Sequence, residues 1–244
     1  MGRLPDIDEV TLTPEQRRIY HQIMAARGHV RGPFGVWLRN PELCENTLKL
    51  QEMFASRVKL ERRLVQLMIL VAARLATAQY AWFIHEPHAL KAGISPGIIE
   101  AIRERRTPEF TREDERLVYD ITMELHTTRS LSEKNYQQGI AVLGEQPMVE
   151  LVSAIGFYVM VAMTLNAFPV SAPGGKELLA QNSERAVPEL FVIFSLVLGS
   201  FKQIIGRCRA LGFLRSSCST VPLVLSHHAI FRLQKLRSIL QLQQ

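Results

Sequence analysis

Apolar residues recur along the first 170 residues at helical spacing and not in alternation. The clearest stripe lies in residues 59–78 and consists of Leu60, Leu64, Leu67, Met68, Val71, Ala72 and Leu75. These positions are three or four residues apart, so they share one face of a helix. No stretch alternates for long enough to predict a β-strand. The pattern predicts an all-α domain, a compact bundle of helices joined by short links.

Start and stop signals divide this region into successive helices. Thr13-Pro14-Glu15 and Asn40-Pro41-Glu42 each combine an N-cap residue, a first-turn proline and an acid near the positive helix end. The helix that starts after Asn40 is expected to end near Ser56. Further predicted helices are 98–106 after the cap Ser95, one opened by a capping box of Thr111 and Asp114, one from Ser132 to Gly144, and the apolar segment 148–168.

A proline- and glycine-rich stretch at 169–175 divides the chain. We expect a helical domain over residues 1–171 and a C-terminal extension over 172–244. The domain holds 20 basic and 20 acidic residues, whereas the extension holds 9 and 3, so the whole net charge of +6 lies in the extension. Three interpretations of the extension stay open: a helix that docks on the core, a partner-binding segment, or translated sequence not selected for folding.

The composition predicts a soluble cytoplasmic protein. Hydrophobic residues make up 47% of the chain and charged residues 21%, as in globular proteins. The three cysteines, Cys44, Cys208 and Cys218, are too few and too scattered for a disulfide framework. The longest apolar stretch, 190–198, is about half of a bilayer span, and the neutral domain does not attract nucleic acid. We therefore expect neither a membrane nor a nucleic-acid partner.

The chemistry that the sequence offers is concentrated in residues 78–89. On a helix, Ala78, Ala81 and His85 share one face, so two small residues leave room beside the histidine ring. Taken alone, such a histidine is more often a satisfied core residue than a catalytic one. His85, Glu86 and His88 do not form a metal site, because Pro87 interrupts them and no third ligand is near.

Several short motifs occur in a specific order over residues 30–170. They are Arg-Gly-Pro-Phe-Gly-Val-Trp-Leu-Arg-Asn-Pro-Glu-Leu at 31–43, Tyr80-Ala81-Trp82, His85-Glu86-Pro87, Ala92-Gly93-Ile94-Ser95, Glu150-Leu151 and Phe157-Tyr158. In these motifs the chain resembles the carboxymuconolactone decarboxylase-like family of the alkylhydroperoxidase D-like superfamily, in its cysteine-free branch. The resemblance implies an all-α bundle of the alkylhydroperoxidase D-like type, here with an atypical C-terminal extension. It also implies a homo-oligomer, a trimer or hexamer, with a pocket between helices.

The resemblance also indicates which chemistry is retained. The two cysteines of the peroxidase branch fall at Ala78 and Ala81, and its glutamate falls at Gln66. A dithiol cannot form at those positions, so thiol peroxidase activity is disfavoured. His85 is the member of the proton-handling set that remains.

These residues predict a cofactor-independent decarboxylase or a related isomerase, acting on a small carboxylactone or ring acid. His85, with a pKa near neutral, would be the proton donor. Gln66, Tyr80 and Trp82 would donate hydrogen bonds to the developing enolate, and Arg31 and Arg39 would hold a carboxylate. A second interpretation is a non-catalytic family member that serves as a ligand-binding or oligomeric scaffold protein.

Overall fold

The computed structural model describes residues 3–181, and in that range the chain is all-α. Nine helices follow one another: α1 (Pro14–Arg27), α2 (Pro33–Trp37), α3 (Pro41–Ser56), α4 (Arg62–Leu75), α5 (Gln79–Lys91), α6 (Pro96–Arg103), α7 (Glu113–Thr128), α8 (Glu133–Leu143) and α9 (Glu145–Ala167). Short 3-10 turns at Glu9–Thr11 and Pro173–Gly175 flank them. The described residues contain no β-strand, which confirms the predicted fold class.

The local start signals work as the sequence predicts. The Thr13 hydroxyl accepts a hydrogen bond from the Gln16 backbone N–H, and the Gln16 side-chain oxygen accepts one from the Thr13 backbone N–H. The two bonds form a capping box at α1. The Asn40 side chain caps α3, and Ser132 caps α8 by accepting the N–H of Asn135. Side-chain acceptors satisfy donors that the first helical turn leaves unpaired, so these helices begin where the sequence places them.

The start of α7 differs from the prediction, because Asp114 does not form a capping box with Thr111. Its carboxylate lies 2.7 Å from Arg63 Nη2, and the neighbouring Glu115 lies 2.6 Å from Arg63 Nη1. Arg63 is buried near the start of α4, and a buried charge is costly unless it is paired. The demand for counter-charges therefore takes Asp114 away from its local capping role and joins α4 to α7.

Helix α4 is the centre of the bundle. Every residue from Arg63 to Arg74 is buried, so all its faces are covered and not only the predicted stripe. It packs against α5, α7 and α9, with α6 and α3 at its edges. The side chains of α4 that face α5 are therefore held in place by packing on all sides of the helix.

Helix α9 is the most apolar element, as predicted. Within the described range it is the one helix long and apolar enough to cross a membrane by length and composition, with a mean hydropathy of 1.9, yet half of that window is buried against the rest of the bundle. Its remaining surface exposes Val149, Val152 and Met163.

The first residues of the expected C-terminal extension pack against the helical domain. Leu179 is fully buried. The Gln79 amide nitrogen donates to the Leu179 carbonyl oxygen at 2.7 Å, and the Gln79 amide oxygen accepts from the backbone N–H groups of Leu178 and Leu179. Leu178 and Leu179 thus lie against the N-terminus of α5. The rest of the extension, with Cys208 and Cys218, lies outside the described residues, and its three interpretations stay predictions.

Candidate active site

A cavity of about 310 Å³ opens beside His85 and is called the His85 cavity below. Helices α1, α2, α3, α4, α5 and α9 and the loop after α1 contribute its walls. Its apolar walls are Pro33, Phe34, Trp37, Ala81, Ile84, Phe157, Val161 and Leu165; its polar side chains are Arg27, His29, Arg31, Gln51, Arg62, Tyr80, His85, His88 and Tyr158. A small ring compound fits a space of this size.

His85 is held from two sides. Its Nδ1 lies 3.0 Å from Oε1 of Gln66, which is fully buried on α4. The Tyr158 ring on α9 meets the imidazole edge-on, with ring centroids 5.5 Å apart. With the amide oxygen facing Nδ1, the proton of a neutral His85 lies on Nδ1. Nε2 then carries a lone pair and makes no hydrogen bond to any described residue, so it is the ring nitrogen free for a ligand.

The His85 imidazole is neutral at physiological pH in the free protein. Burial lowers its pKa to about 3, and the positive charges of His88, Arg62 and Arg27 act in the same direction. The expectation of a pKa near neutral is therefore wrong for the unliganded site. The physical cause is desolvation, since a charged ring loses more hydration than a neutral one in this setting.

The His85 cavity is strongly basic. Arg27, Arg31 and Arg62 line it, whereas the described lining residues include no aspartate or glutamate. Arg27 donates to Gln51 and stacks 4.4 Å over the Phe34 ring, and Arg62 donates to the Ala55 carbonyl. None of these three guanidinium groups forms an ion pair within residues 3–181. Their charges are available to an anion.

Two tyrosines complete the polar lining. Burial raises the pKa of Tyr158 to about 12 and also raises that of Tyr80, so both phenols keep their protons at neutral pH. Their hydroxyl groups are hydrogen-bond donors and not bases.

The structure brings together several residues that the sequence singles out. His85 and Gln66 are in contact, and Arg31 and Tyr80 line the same cavity. Tyr80 and Arg31 also line a second groove of about 720 Å³, called the outer groove, on the other side of Tyr80. Tyr80 is thus a wall shared by the two spaces.

Two of the predicted substrate-binding residues lie elsewhere. Arg39 lines the outer groove and donates to the carbonyls of Gly35 and Pro5, so it holds the N-terminal segment. The indole N–H of Trp82 donates to Glu86 at 2.8 Å, and Trp82 does not line the His85 cavity. Glu86 also pairs with Arg103, which lies over the Trp82 ring, so this group ties α5 to α6.

Sequence reasoning missed Arg27, Arg62 and Tyr158. Arg62 carried a usable signal, because it precedes Gln66 by four residues and shares its helix face. Arg27 and Tyr158 come from α1 and α9, more than 130 residues apart, and only the packing of the bundle brings them together. His88 also lines the cavity because α5 continues through Pro87.

The described residues offer no metal centre and no reactive thiol beside His85. Residues 3–181 contain no group of three or more metal-ligating side chains. Cys44 lies on α3, fully buried outside the cavity, and burial raises its pKa to about 11, so its thiol stays protonated.

No protein-family model matches the chain, and neither does any curated protein. Solved structures do. A peroxidase-related protein with an alkylhydroperoxidase AhpD core, from Ralstonia eutropha JMP134, matches with a TM-score of 0.61 at 10% identity, over 73% of this chain and 95% of that one. A peroxidase-related protein from Silicibacter sp. TM1040 matches with a TM-score of 0.57 at 14% identity, over 69% and 88%.

A third solved structure is the debrominase Bmp8, as a variant in complex with 2,3,4-tribromopyrrole. It matches with a TM-score of 0.57 at 14% identity, over 72% of this chain and 95% of that one. At these identities the likeness concerns the fold, and the three matches agree on it. The described helical domain has the all-α alkylhydroperoxidase D-like fold.

Proposed function

We propose that this chain is a cofactor-independent lyase or isomerase that acts on a small carboxylactone or ring acid in the His85 cavity. One observation carries the proposal: a neutral histidine whose Nε2 has no described partner shares a small cavity with three arginines that form no ion pair within residues 3–181, and with no described carboxylate. Such a site binds an organic anion and offers it a group for proton transfer.

The arginines supply recognition. Arg62 and Arg27 lie close enough to His85 and Tyr158 for their positive charges to favour a lower pKa of each side chain. Arg31 and Arg27 have the same effect on Tyr80. A carboxylate held by these guanidinium groups is anchored by charge-assisted hydrogen bonds. The aromatic walls from Phe34, Trp37 and Phe157 then enclose the rest of a flat ring.

His85 and the tyrosines supply the chemistry. As an isomerase, the His85 Nε2 lone pair removes a proton from carbon beside the lactone carbonyl and returns it at another carbon. As a decarboxylase, the substrate loses carbon dioxide, its electron pair forms an enolate, and a proton from His85 ends on carbon. In both reactions the Tyr158 and Tyr80 hydroxyls are donors for the enolate oxygen, where negative charge develops.

Thiol-dependent peroxide reduction is disfavoured at this site. Ala81 lines the cavity where the resemblance expects a cysteine, and Ala78 is fully buried. A dithiol cannot form at either position, and the protonated Cys44 lies outside the cavity.

A non-catalytic ligand-binding role is the second candidate, and one observation favours it. His85 is neutral in the free protein and cannot donate a proton as an imidazolium. A protein that only holds a small ring needs no such group. The debrominase Bmp8 complex shows that a protein of this fold accommodates a small halogenated ring.

Turnover separates the two candidates. Carboxymuconolactone is incubated with the protein, and ultraviolet absorbance and released carbon dioxide are followed for wild type and His85→Gln. His126→Gln is the matched control, because His126 is partly buried on α7 and bonds the Thr122 carbonyl outside the cavity. Turnover lost only in His85→Gln supports the proposal. Equal turnover in both variants removes His85 from the mechanism, and binding without turnover favours the ligand-binding role.

We also propose that the domain self-associates through α9. Val149, Val152 and Met163 are exposed on one side of this helix, at positions that fall within one helical face. Exposed apolar side chains that share one face of a helix are a feature of surfaces that pack against another subunit. Light scattering after size exclusion tests it: Met163→Glu should lower the oligomer mass, whereas Glu113→Gln on α7 should not.

A further inference from the structure

The most unusual feature of the His85 cavity is its charge balance. Three arginines and two further histidines, His29 and His88, line it, and the described lining residues include no acid. Beside these arginines the His85 ring has one nitrogen, Nδ1, in contact with the Gln66 oxygen and the other, Nε2, without a described partner. The free protein therefore has a cavity that repels a proton and attracts an anion.

We propose that an anionic ligand enters the His85 cavity together with a proton, so that ligand binding and protonation of His85 Nε2 are coupled. This inference rests on the proposed function, since it makes the substrate's own carboxylate the agent that converts His85 into the acid. The proton comes from solvent and binds to the Nε2 lone pair. The resulting imidazolium donates Nδ1–H to Gln66 and Nε2–H to the bound carboxylate.

The surroundings of His85 explain why the coupling is strong. Among the described residues, the side chains whose charge acts on the ring are all bases: His88 on α5, Arg62 on α4 and Arg27 at the end of α1. Tyr158 on α9 keeps its proton, so it adds no negative charge. Gln66 is neutral, whereas a carboxylate at this position would favour protonation of His85 even without a ligand. No acid within residues 3–181 acts on the ring, so an entering anion supplies the negative charge that these residues lack.

The size of the effect follows from Coulomb's law. A unit negative charge about 4 Å away, at an effective dielectric constant of about 20, raises the proton affinity of a neighbouring base about a thousandfold. Starting from the low value that burial sets, His85 is then about half protonated at pH 6 when the anion is bound. Coupling is reciprocal, so the anion binds more tightly as the pH falls.

The ligand's charge accordingly decides the chemistry that the site can perform. A neutral ring of the same shape fills the same space but leaves His85 unprotonated and unable to protonate a carbanion. The site therefore distinguishes acids from their amides or esters by activating itself only for acids. Decarboxylation needs this proton, because the carbon that loses carbon dioxide must receive one.

Calorimetry on the full-length protein tests the coupling with benzoate and its neutral isostere benzamide. Titrations at pH 6 in two amine buffers of different ionisation enthalpy give the number of protons taken up per ligand bound. We expect about half a proton for benzoate and none for benzamide. Benzoate should also bind about tenfold more tightly at pH 5 than at pH 7.5, beyond the change seen in His85→Gln.

Three variants assign the proton. His85→Gln should bind benzoate without the proton uptake, whereas His88→Gln and His29→Gln should retain it. Uptake that persists in His85→Gln, or that disappears in His88→Gln or His29→Gln, places the proton on another histidine and overturns the inference. Benzoate binding without proton uptake in the wild type overturns it as well.

The outcomes also separate this inference from the proposed function. Proton-coupled benzoate binding with no turnover of any lactone keeps the coupling and removes the enzyme. Lactone turnover with no coupled proton removes the coupling and keeps the enzyme. Failure of benzoate to bind at millimolar concentration overturns both, because both require an anion site.

Discussion

Tyr80 packs so closely on Gly32 that a Cβ atom at this glycine would lie 2.5 Å from the Tyr80 Cε1. Gly32 also has φ of +67°, a conformation that disfavours side chains. Gly32→Ala should therefore displace the ring that separates the His85 cavity from the outer groove. We expect a loss of about 2–4 kcal/mol in the free energy of unfolding, from backbone strain and the clash together.

Gly28→Ala is the matched control for that substitution. Gly28 has φ of +72° but nothing within 4 Å of its Cβ position, so an alanine there would introduce backbone strain without a clash. Urea unfolding should show a smaller loss, about 1 kcal/mol, at Gly28. Equal losses at the two glycines would mean that the Tyr80 ring yields freely and does not fix the wall.

Acid should destabilise the domain through His85. The folded-state pKa is about 3 and lies below the ordinary value of 6.5, so the unfolded chain binds more protons between these limits. The contribution of the neutral His85 to the free energy of unfolding is fully present above pH 6.5, and it is lost progressively as the pH falls toward 3. Between pH 7 and pH 5 the loss is about 2 kcal/mol.

Urea unfolding of wild type and His85→Leu at both pH values measures this contribution. His126, whose pKa burial also lowers, contributes in the same direction, and comparison with the variant cancels it. The variant should be less sensitive to acid by about 2 kcal/mol. An equal acid response in both proteins would show that His85 titrates near its ordinary range in the folded state.

Gln66→Glu should raise the pKa of His85. The new carboxylate would lie at the position of the amide oxygen, 3.0 Å from Nδ1, and a negative charge at that distance favours the imidazolium. The imidazole proton signals in an NMR pH titration report the change, and Gln66→Leu is the control in which the pKa stays low. If Gln66→Glu leaves the titration unaltered, the contact between the two side chains is absent in solution.

Arg62→Gln should lower kcat/KM for an anionic substrate about 10- to 100-fold. It removes a charged donor from the cavity, and a hydrogen bond to a charged group is worth about 1.5–3 kcal/mol. Arg57→Gln is the control, because Arg57 is an exposed arginine at the end of α3 that does not line the cavity. Equal losses in the two variants would indicate only a general effect of net charge.

Leu179→Ala tests the docking of the first residues of the extension. Leu179 is 1% exposed, so truncation leaves a cavity and should cost about 2–3 kcal/mol of stability. The neighbouring Leu178 is only partly buried, and Leu178→Ala should cost less. Thermal unfolding of the full-length variants compares them; a reversed order would show that the Gln79 bonds, and not the buried side chain, hold this segment.

The sequence predicts best what depends on neighbours in the chain. Thr13, Asn40 and Ser132 mark helix starts because capping involves residues two or three positions away. Asp114 departs from its predicted role because a partner 51 residues earlier, Arg63, competes for its carboxylate. Local patterns contain no information on such a competitor.

In the candidate site, too, the sequence indicates residues with a local pattern but not those that only helix packing brings together. His85 is conspicuous in the sequence because its helix places alanines beside it, and Gln66 is identified through a resemblance to a known family. Arg27 and Tyr158 reach the cavity only through helix packing. The pKa of His85 lies below the value that the sequence predicts because desolvation depends on atoms from all these helices.

The two tryptophans of the chain occupy environments that do not overlap. Trp37 borders the His85 cavity and bonds Thr164, whereas Trp82 is fully buried and its indole bonds Glu86 under the Arg103 guanidinium. Their fluorescence therefore reports two separate events. In a Trp82→Phe variant the remaining emission follows occupancy of the cavity, and in Trp37→Phe it follows opening of the α5–α6 contact. The molecule carries an intrinsic optical probe for ligand and another for integrity of the fold.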